Sequence, residues 1–245
     1  MNMWNPWHGC HKISEGCMNC YMFAFDKERD IDSNVVYKTN SFKLPISKDR
    51  NGEFKIKAGE HVSVCLTSDF FIEEADEWRT EAWKIIKERS DLKFSLFTKR
   101  VGRIKDCLPS DWDDGYDNVA INLTAENQKR IDERLPIFLC VPCKKRVVLV
   151  APMTENVDIF KYLQDGGIHL VCCAGENYKN ARPLYFEWVQ NLCEQCKKAN
   201  VSFEFYDTGE NFYRNGKHYY IPHRLGKIQA QKAGLNFTAQ KIDAD

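Results

Sequence analysis

The stretch Val62–Arg100, VSVCLTSDFFIEEADEWRTEAWKIIKERSDLKFSLFTKR, reads as a strand, a helix and a second strand in succession. Val62–Thr67 and Lys93–Thr98 are short runs of apolar and β-branched residues. Between them Ala75, Trp78, Ala82, Ile85, Ile86 and Arg89 fall at helical spacing. A strand, an amphipathic helix and another strand predict a parallel pair joined by a crossover.

The same alternation continues outward. Further strands are predicted at Met3–Trp7, Asn118–Leu123, Arg146–Ala151, Ile168–Cys173 and Ser202–Tyr206, and Phe186, Val189, Leu192, Cys193 and Cys196 mark another helix. Several strands are apolar without alternation, as expected where both faces are covered. Seven such strands predict an α/β fold, either an open doubly wound sheet or a partial (β/α) barrel. Phe42–Ile56 breaks the pattern, because two short extended runs flank Asn51-Gly52; a small hairpin insertion is expected within 33–60. Residues 1–209 are thereby read as the barrel, and 210–245 as a polar, mildly basic tail packed on it.

At 245 residues the chain suits one sizeable core, and 43% hydrophobic with 29% charged residues is an ordinary globular balance. Thirty-five basic residues offset thirty-five acidic ones, so nucleic acid would have to meet a local basic patch rather than a global field. The start lacks a basic segment followed by an apolar run, and no stretch of about 18 apolar residues is present, so a cytoplasmic protein with no membrane partner is expected. Eleven cysteines, an odd number, then read as thiols or metal ligands.

Three of them crowd into WNPWHGCHKISEGCMNCY, Trp4–Tyr21, directly after the first strand. In parallel α/β folds ligands bind beyond the carboxyl ends of the strands, which is where a loop carrying Cys10, Cys17 and Cys20 would lie. Three thiolates suit zinc with His8 or His11 as the fourth ligand, or an iron–sulfur cluster with one iron left open. Unligated cysteines are the plainer alternative. Cys193 and Cys196 repeat the spacing on the apolar face of a predicted helix and are expected to pack in the core; Cys140 and Cys143 flank Val141-Pro142 before a strand.

The cysteine block, together with SVCLTSDFF, FSLFTKR, VAINLTAENQKRIDERLP, HLVCCAGEN, ARPLYFEWVQNLCEQCKKANVSFEF and Asp207-Thr208-Gly209, resembles the phage Gp37/Gp68-like family of uncharacterised proteins, in order from Trp4 to Gly209. That family looks like a divergent branch of the radical S-adenosylmethionine superfamily. The resemblance implies a partial β/α barrel of about six to seven parallel strands and a 4Fe-4S cluster on Cys10, Cys17 and Cys20. It also implies S-adenosylmethionine as the second cofactor, cleaved reductively to a 5'-deoxyadenosyl radical. An electron donor is implied, with a small-molecule or nucleotide substrate. The spacing departs from the superfamily's C-x3-C-x2-C, being C-x6-C-x2-C here, with Gly9 and Gly16 supplying permissive backbone. Ala174-Gly175-Glu176 stands where the family suggests Gly-Gly-Glu, and Ala151-Pro152 where Glu-Pro is usual.

Polar residues at the strand ends are the remaining candidates. S-adenosylmethionine needs a cation or amide for its carboxylate, an acceptor for its ammonium and partners for its ribose. Lys99 or Arg100, Glu176 or Asp69, and Ser68 or Asn122 could serve, with Gly175 counted beside Glu176 in the cofactor-binding set and Tyr21 shielding the cluster or stacking near adenine. Lys99 and Arg100 are also the catalytic candidates. Ser68 and Asp69 read equally well as helix caps, and Thr124 and Glu126 read better so. A rival reading is a non-catalytic iron–sulfur or zinc protein with a structural or nucleic-acid-binding role, since Tyr213–Lys227, YRNGKHYYIPHRLGK, interleaves basic and aromatic side chains. The plainer alternative there is a tail docked by its tyrosines.

Overall fold

The computed structural model describes residues 2–178 and 180–240. In the first half of the chain the strands are β1 (Asn2–Trp4), β2 (Trp7–His8), β3 (Tyr37–Lys38), β4 (His61–Val64), β5 (Lys93–Thr98) and β6 (Val119–Thr124). The second half holds β7 (Arg146–Val150), β8 (Leu170–Ala174), β9 (Leu184–Tyr185), β10 (Ser202–Asp207), β11 (Asn211–Arg214) and β12 (Lys217–Tyr220). The helices are α1 (Tyr21–Glu28), α2 (Asp76–Glu88), α3 (Gln128–Leu139), α4 (Phe160–Leu163), α5 (Phe186–Lys198) and α6 (His223–Lys232).

Seven strands form one parallel sheet in the order β1-β4-β5-β6-β7-β8-β10, the order of a partial β/α barrel and the fold class expected. The first predicted strand is shorter than its sequence suggests. It stops at Trp4 because Pro6 has no N–H to give a ladder; Trp7–His8 instead pairs antiparallel with Tyr37–Lys38. The expected hairpin shrinks to a single antiparallel bridge, Lys48 to Phe54. Pro45 favours a 3-10 turn over Leu44–Ile46, and the Asp49 carboxylate takes the N–H groups of Asn51 and Glu53 across the bend.

By contact the chain divides into two compact units. The first comprises Met1–Ile13, Met22–Leu123 and Cys140–Lys145 and contains β1, β4 and β5 with α2. On α2 the buried stripe runs through Arg79, Ala82, Trp83, Ile85 and Ile86, so Trp83 rather than Trp78 faces inward. Trp4 and Trp7 are wholly buried. Their indole N–H groups donate to Phe42 O at 3.0 Å and Asp69 O at 3.1 Å, so burial leaves no donor unsatisfied and fixes the backbone just before Cys10.

The second unit comprises Ser14–Tyr21, Thr124–Leu139 and Arg146–Asp245. Its core joins Val148, Val171, Cys173, Phe203 and Phe205 of the strands to Val189, Leu192, Cys193 and Cys196 of α5. The span read as a tail is largely regular structure: β11 and β12 form a hairpin, β11 also pairs with β9, and α6 packs on β10. Residues 241–245 of that span lie outside the described residues. Among the described residues no helix is long and apolar enough to cross a membrane.

Candidate functional site

In the first unit the site begins at Gly9. Its φ of +96° belongs to glycine, and a Cβ there would sit 2.3 Å from Val35 O. The strand-end residue Ser68 donates to Gly9 O at 2.5 Å, Gly9 N–H reaches Thr67 O at 3.2 Å, and Cys10 N–H reaches Ser33 O at 2.8 Å. Three hydrogen bonds therefore set where Cys10 points. Its Sγ lies 3.7 Å from Arg100 Nη1, and Arg100 Nη2 donates to His11 O at 3.2 Å. Burial pulls the Arg100 pKa down, but Asp69 and Cys10 beside it outweigh that and raise it, so the guanidinium stays charged. A fixed positive charge beside a sulfur favours an ionised ligand over a thiol.

Asp69 organises this corner. Its carboxylate accepts from Phe71 N–H at 2.9 Å, Thr98 Oγ1 at 2.7 Å and Lys99 N–H at 2.8 Å, and pairs with Arg100 Nη1 at 3.2 Å. These contacts tie the end of β4 to the end of β5 and commit the carboxylate fully. Ser68 and Asp69 thus hold the cysteine segment and its arginine rather than cap a helix. Among the described residues no ion pair holds Lys99 Nζ. Asn122 is buried, with its amide shared between Leu96 O at 3.3 Å and Ala120 O at 3.2 Å. His8 and His11, the possible fourth zinc ligands, are paired with Asp26 and Glu74 respectively.

In the second unit Cys17 ends a 3-10 turn over Glu15–Cys17, and Cys20 directly precedes α1. Acids from distant sequence pin this turn. Gly16 N–H donates to Glu126 Oε1 at 2.8 Å, and a Cβ on Gly16 would lie 2.8 Å from the Glu126 carboxyl carbon. Glu126 has no exposed side-chain surface and pairs with Arg134 at 2.9 Å; the same Arg134 Nη1 donates to Thr124 O at 2.7 Å. Glu126 is therefore a buried strut, not the helix cap its position suggested. Asn127 takes the capping role, its Oδ1 accepting Arg130 N–H at 2.9 Å. Arg130 in turn grips Glu15 through Nε at 2.9 Å and Nη2 at 3.0 Å, which lowers the Glu15 pKa from 4.5 to about 2.

Further along the turn, Asn19 donates to Glu176 Oε2 at 3.0 Å and to Asn180 O at 2.9 Å. Arg182 closes on the same carboxylate through its backbone N–H at 2.8 Å and its guanidinium, with Nε at 2.9 Å. Burial alone would raise the Glu176 pKa; the Arg182 and Asn19 contacts reverse that and lower it. Gly175 is needed here because a Cβ would meet Thr208 O at 2.4 Å, and Gly209, at φ +68°, approaches Glu176 O as closely. On α6, Gly226 likewise lies against the Asp207 carboxylate, whose pKa burial raises. Tyr21 opens α1, and its hydroxyl pKa is pushed up by desolvation, with Cys20, Tyr178 and Tyr206 adding to it.

The sequence-predicted residues thus fall into two described groups: Cys10, Ser68, Asp69, Lys99 and Arg100 with Asn122 in the first unit, and Cys17, Cys20, Tyr21, Gly175 and Glu176 in the second. Sequence reading missed Arg134, Arg130 and Arg182, the cations that hold the acids in place. Cys193 and Cys196 are fully buried on α5, the core role expected. Among the described residues, no three His, Cys, Asp or Glu side chains are grouped to hold a metal ion.

The chain belongs to the family described as "Protein of unknown function (DUF5131)", whose model matches residues 1–244. No curated protein and no solved structure matches the chain.

Proposed function

We propose that this chain is an iron–sulfur, S-adenosylmethionine-dependent radical enzyme whose 4Fe-4S cluster is ligated by Cys10, Cys17 and Cys20. The observation that carries the reading is the placement of Cys10 against the Arg100 guanidinium, in the segment that follows the first strand of the parallel sheet and the short β2. The donor set fits the group in its chemistry: three thiols lie within eleven residues, the first beside a fixed cation and the other two on a turn braced by buried acid–base pairs. When bound, the cluster would supply the electron for reductive cleavage of S-adenosylmethionine.

The chain's own residues bind and orient. Lys99 presents an ammonium that no ion pair holds among the described residues, suited to a ligand carboxylate, whereas Asp69 is already committed to four donors. Glu176 can take a ligand ammonium only by exchanging a contact with Arg182 or Asn19.

Anaerobic purification with iron and sulfide analysis, a visible spectrum and electron paramagnetic resonance tests the reading. Iron and sulfide should be present, should vanish in the Cys10→Ala/Cys17→Ala/Cys20→Ala variant and should persist in Cys193→Ala/Cys196→Ala. S-adenosylmethionine should perturb the resonance and be cleaved to 5'-deoxyadenosine under a strong reductant. Zinc in place of iron, or a loaded cluster that neither binds nor cleaves the cofactor, would leave the non-catalytic reading standing.

A further inference from the structure

The three-stranded sheet β12-β11-β9 lies outside the parallel sheet and carries an unusual row of rings. Phe212 of β11 points inward, edge-on to Phe186 and stacked with Phe205. Its neighbour Tyr213 must therefore face outward, and so must His218, its register partner on β12. Trp188, Tyr185, Tyr213 and His218 follow one another with ring centroids 4.6, 4.9 and 4.8 Å apart. Two residues beyond His218 on the same face, Tyr220 is 69% exposed.

Charge points to the occupant. None of the thirty-five acidic residues lies between Asn211 and Ile242, while six of the thirty-five basic ones do, in a chain whose net charge is zero. Lys217 and Arg224 are exposed and in no ion pair among the described residues. The nearby carboxylate of Glu187 is engaged by Asn215 N–H at 2.8 Å. Successive flat rings on a span that carries exposed cations and no acid suit a flexible polyanion with flat, unpaired bases.

From this juxtaposition we infer that the outward face of β12-β11-β9 binds single-stranded nucleic acid, with bases stacking on His218, Tyr220 and the rings behind them and phosphates reaching cations at the rim of that face, Lys217 at the turn end of β12 and Arg224 shortly after its other end. The inference stands on residues that the cluster reading does not use. Protein purified in air, without metal or cofactor, therefore suffices to test it, and either idea can fail alone.

The experiment is fluorescence anisotropy of a labelled twenty-nucleotide thymidine oligomer titrated with the full chain at low salt. A Kd of about 10 µM is expected, in the range of sequence-independent binding. His218→Ala/Tyr220→Ala should weaken it about tenfold or more, while circular dichroism and thermal melting confirm the variant is folded. Lys217→Glu/Arg224→Glu should weaken it and flatten the salt dependence by about 1.4 in log–log slope. Absence of binding at about ten times that Kd, unchanged affinity in the folded ring variant, or a duplex bound as tightly as the single strand would each overturn the inference.

Discussion

Arg134→Met should be among the most damaging single changes in the second unit, although Arg134 lies in neither cysteine segment. Methionine keeps most of the apolar stem but removes the cation 2.9 Å from a carboxylate with no exposed surface. The neutral Gly16 N–H still donates to Glu126 but carries no charge to offset the carboxylate. It escapes by taking up a proton, which at pH 7 costs about 3.7 kcal/mol for a carboxyl whose ordinary pKa is about 4.3. Losing the Arg134 bond to Thr124 O adds about 1 kcal/mol. The total, about 4–5 kcal/mol, agrees with the range for breaking one side of a buried pair.

The pH dependence follows with a definite sign. In the variant the folded-state pKa of Glu126 is raised, so the penalty is present at neutral pH and disappears as pH falls toward 4. Urea unfolding at several pH values should show the gap to wild type shrinking from about 4–5 to about 1 kcal/mol. Glu126→Gln/Arg134→Met should recover about 3 kcal/mol, since the amide oxygen still accepts Gly16 N–H. Cys17, now buried, should be alkylated faster in the single variant, as peptide mapping would show. A loss below about 1 kcal/mol at pH 7, or a double variant no more stable than the single, would refute the reasoning.

Gly9→Ala forces a left-handed backbone on alanine and drives its Cβ into Val35 O; thermal unfolding should show a loss of about 2–4 kcal/mol, and anaerobically reconstituted protein should hold less iron. Glu15 has its folded pKa lowered from 4.5 to about 2 by Arg130, so its contribution is present above pH 4.5 and is lost as pH falls toward 2. The stability difference between wild type and Glu15→Gln, followed by acid titration, should be constant above pH 5 and vanish through that window; because Glu15 is partly exposed, it should be small throughout.

Which parts were legible in the sequence follows from the range of the interactions. Apolar runs such as Phe94–Thr98 and the stripe on α2 are local patterns, and strands and helices formed where they predicted. Pro6 was equally visible, yet the run of tryptophans around it concealed the break it imposes. Glu126 illustrates the opposite case. An acid just past a strand reads as a helix cap, but its partners are Gly16, far away in sequence, and Arg134, on the buried side of a helix whose charges look like an ordinary solvated face. The Glu176–Arg182 pair was closer to hand: Asn180, at φ +67°, bends the chain and returns Arg182 to the carboxylate six residues back. No periodicity encodes such a bend.

The glycines that interlock around β8 and β10 have a mechanical meaning. Gly226 of α6 rests on the Asp207 carboxylate, the Asp207 carbonyl holds Gly175 N–H at 3.0 Å, and Gly209 abuts the backbone of Glu176. Apart from Asp207 itself, that route from α6 to Glu176 contains no side chain able to rotate and absorb a displacement. Slack has been removed from it. A shift of α6 by a few tenths of an ångström is thus delivered to the carboxylate that grips Asn19, two residues after Cys17, much as a taut cable moves at both ends at once.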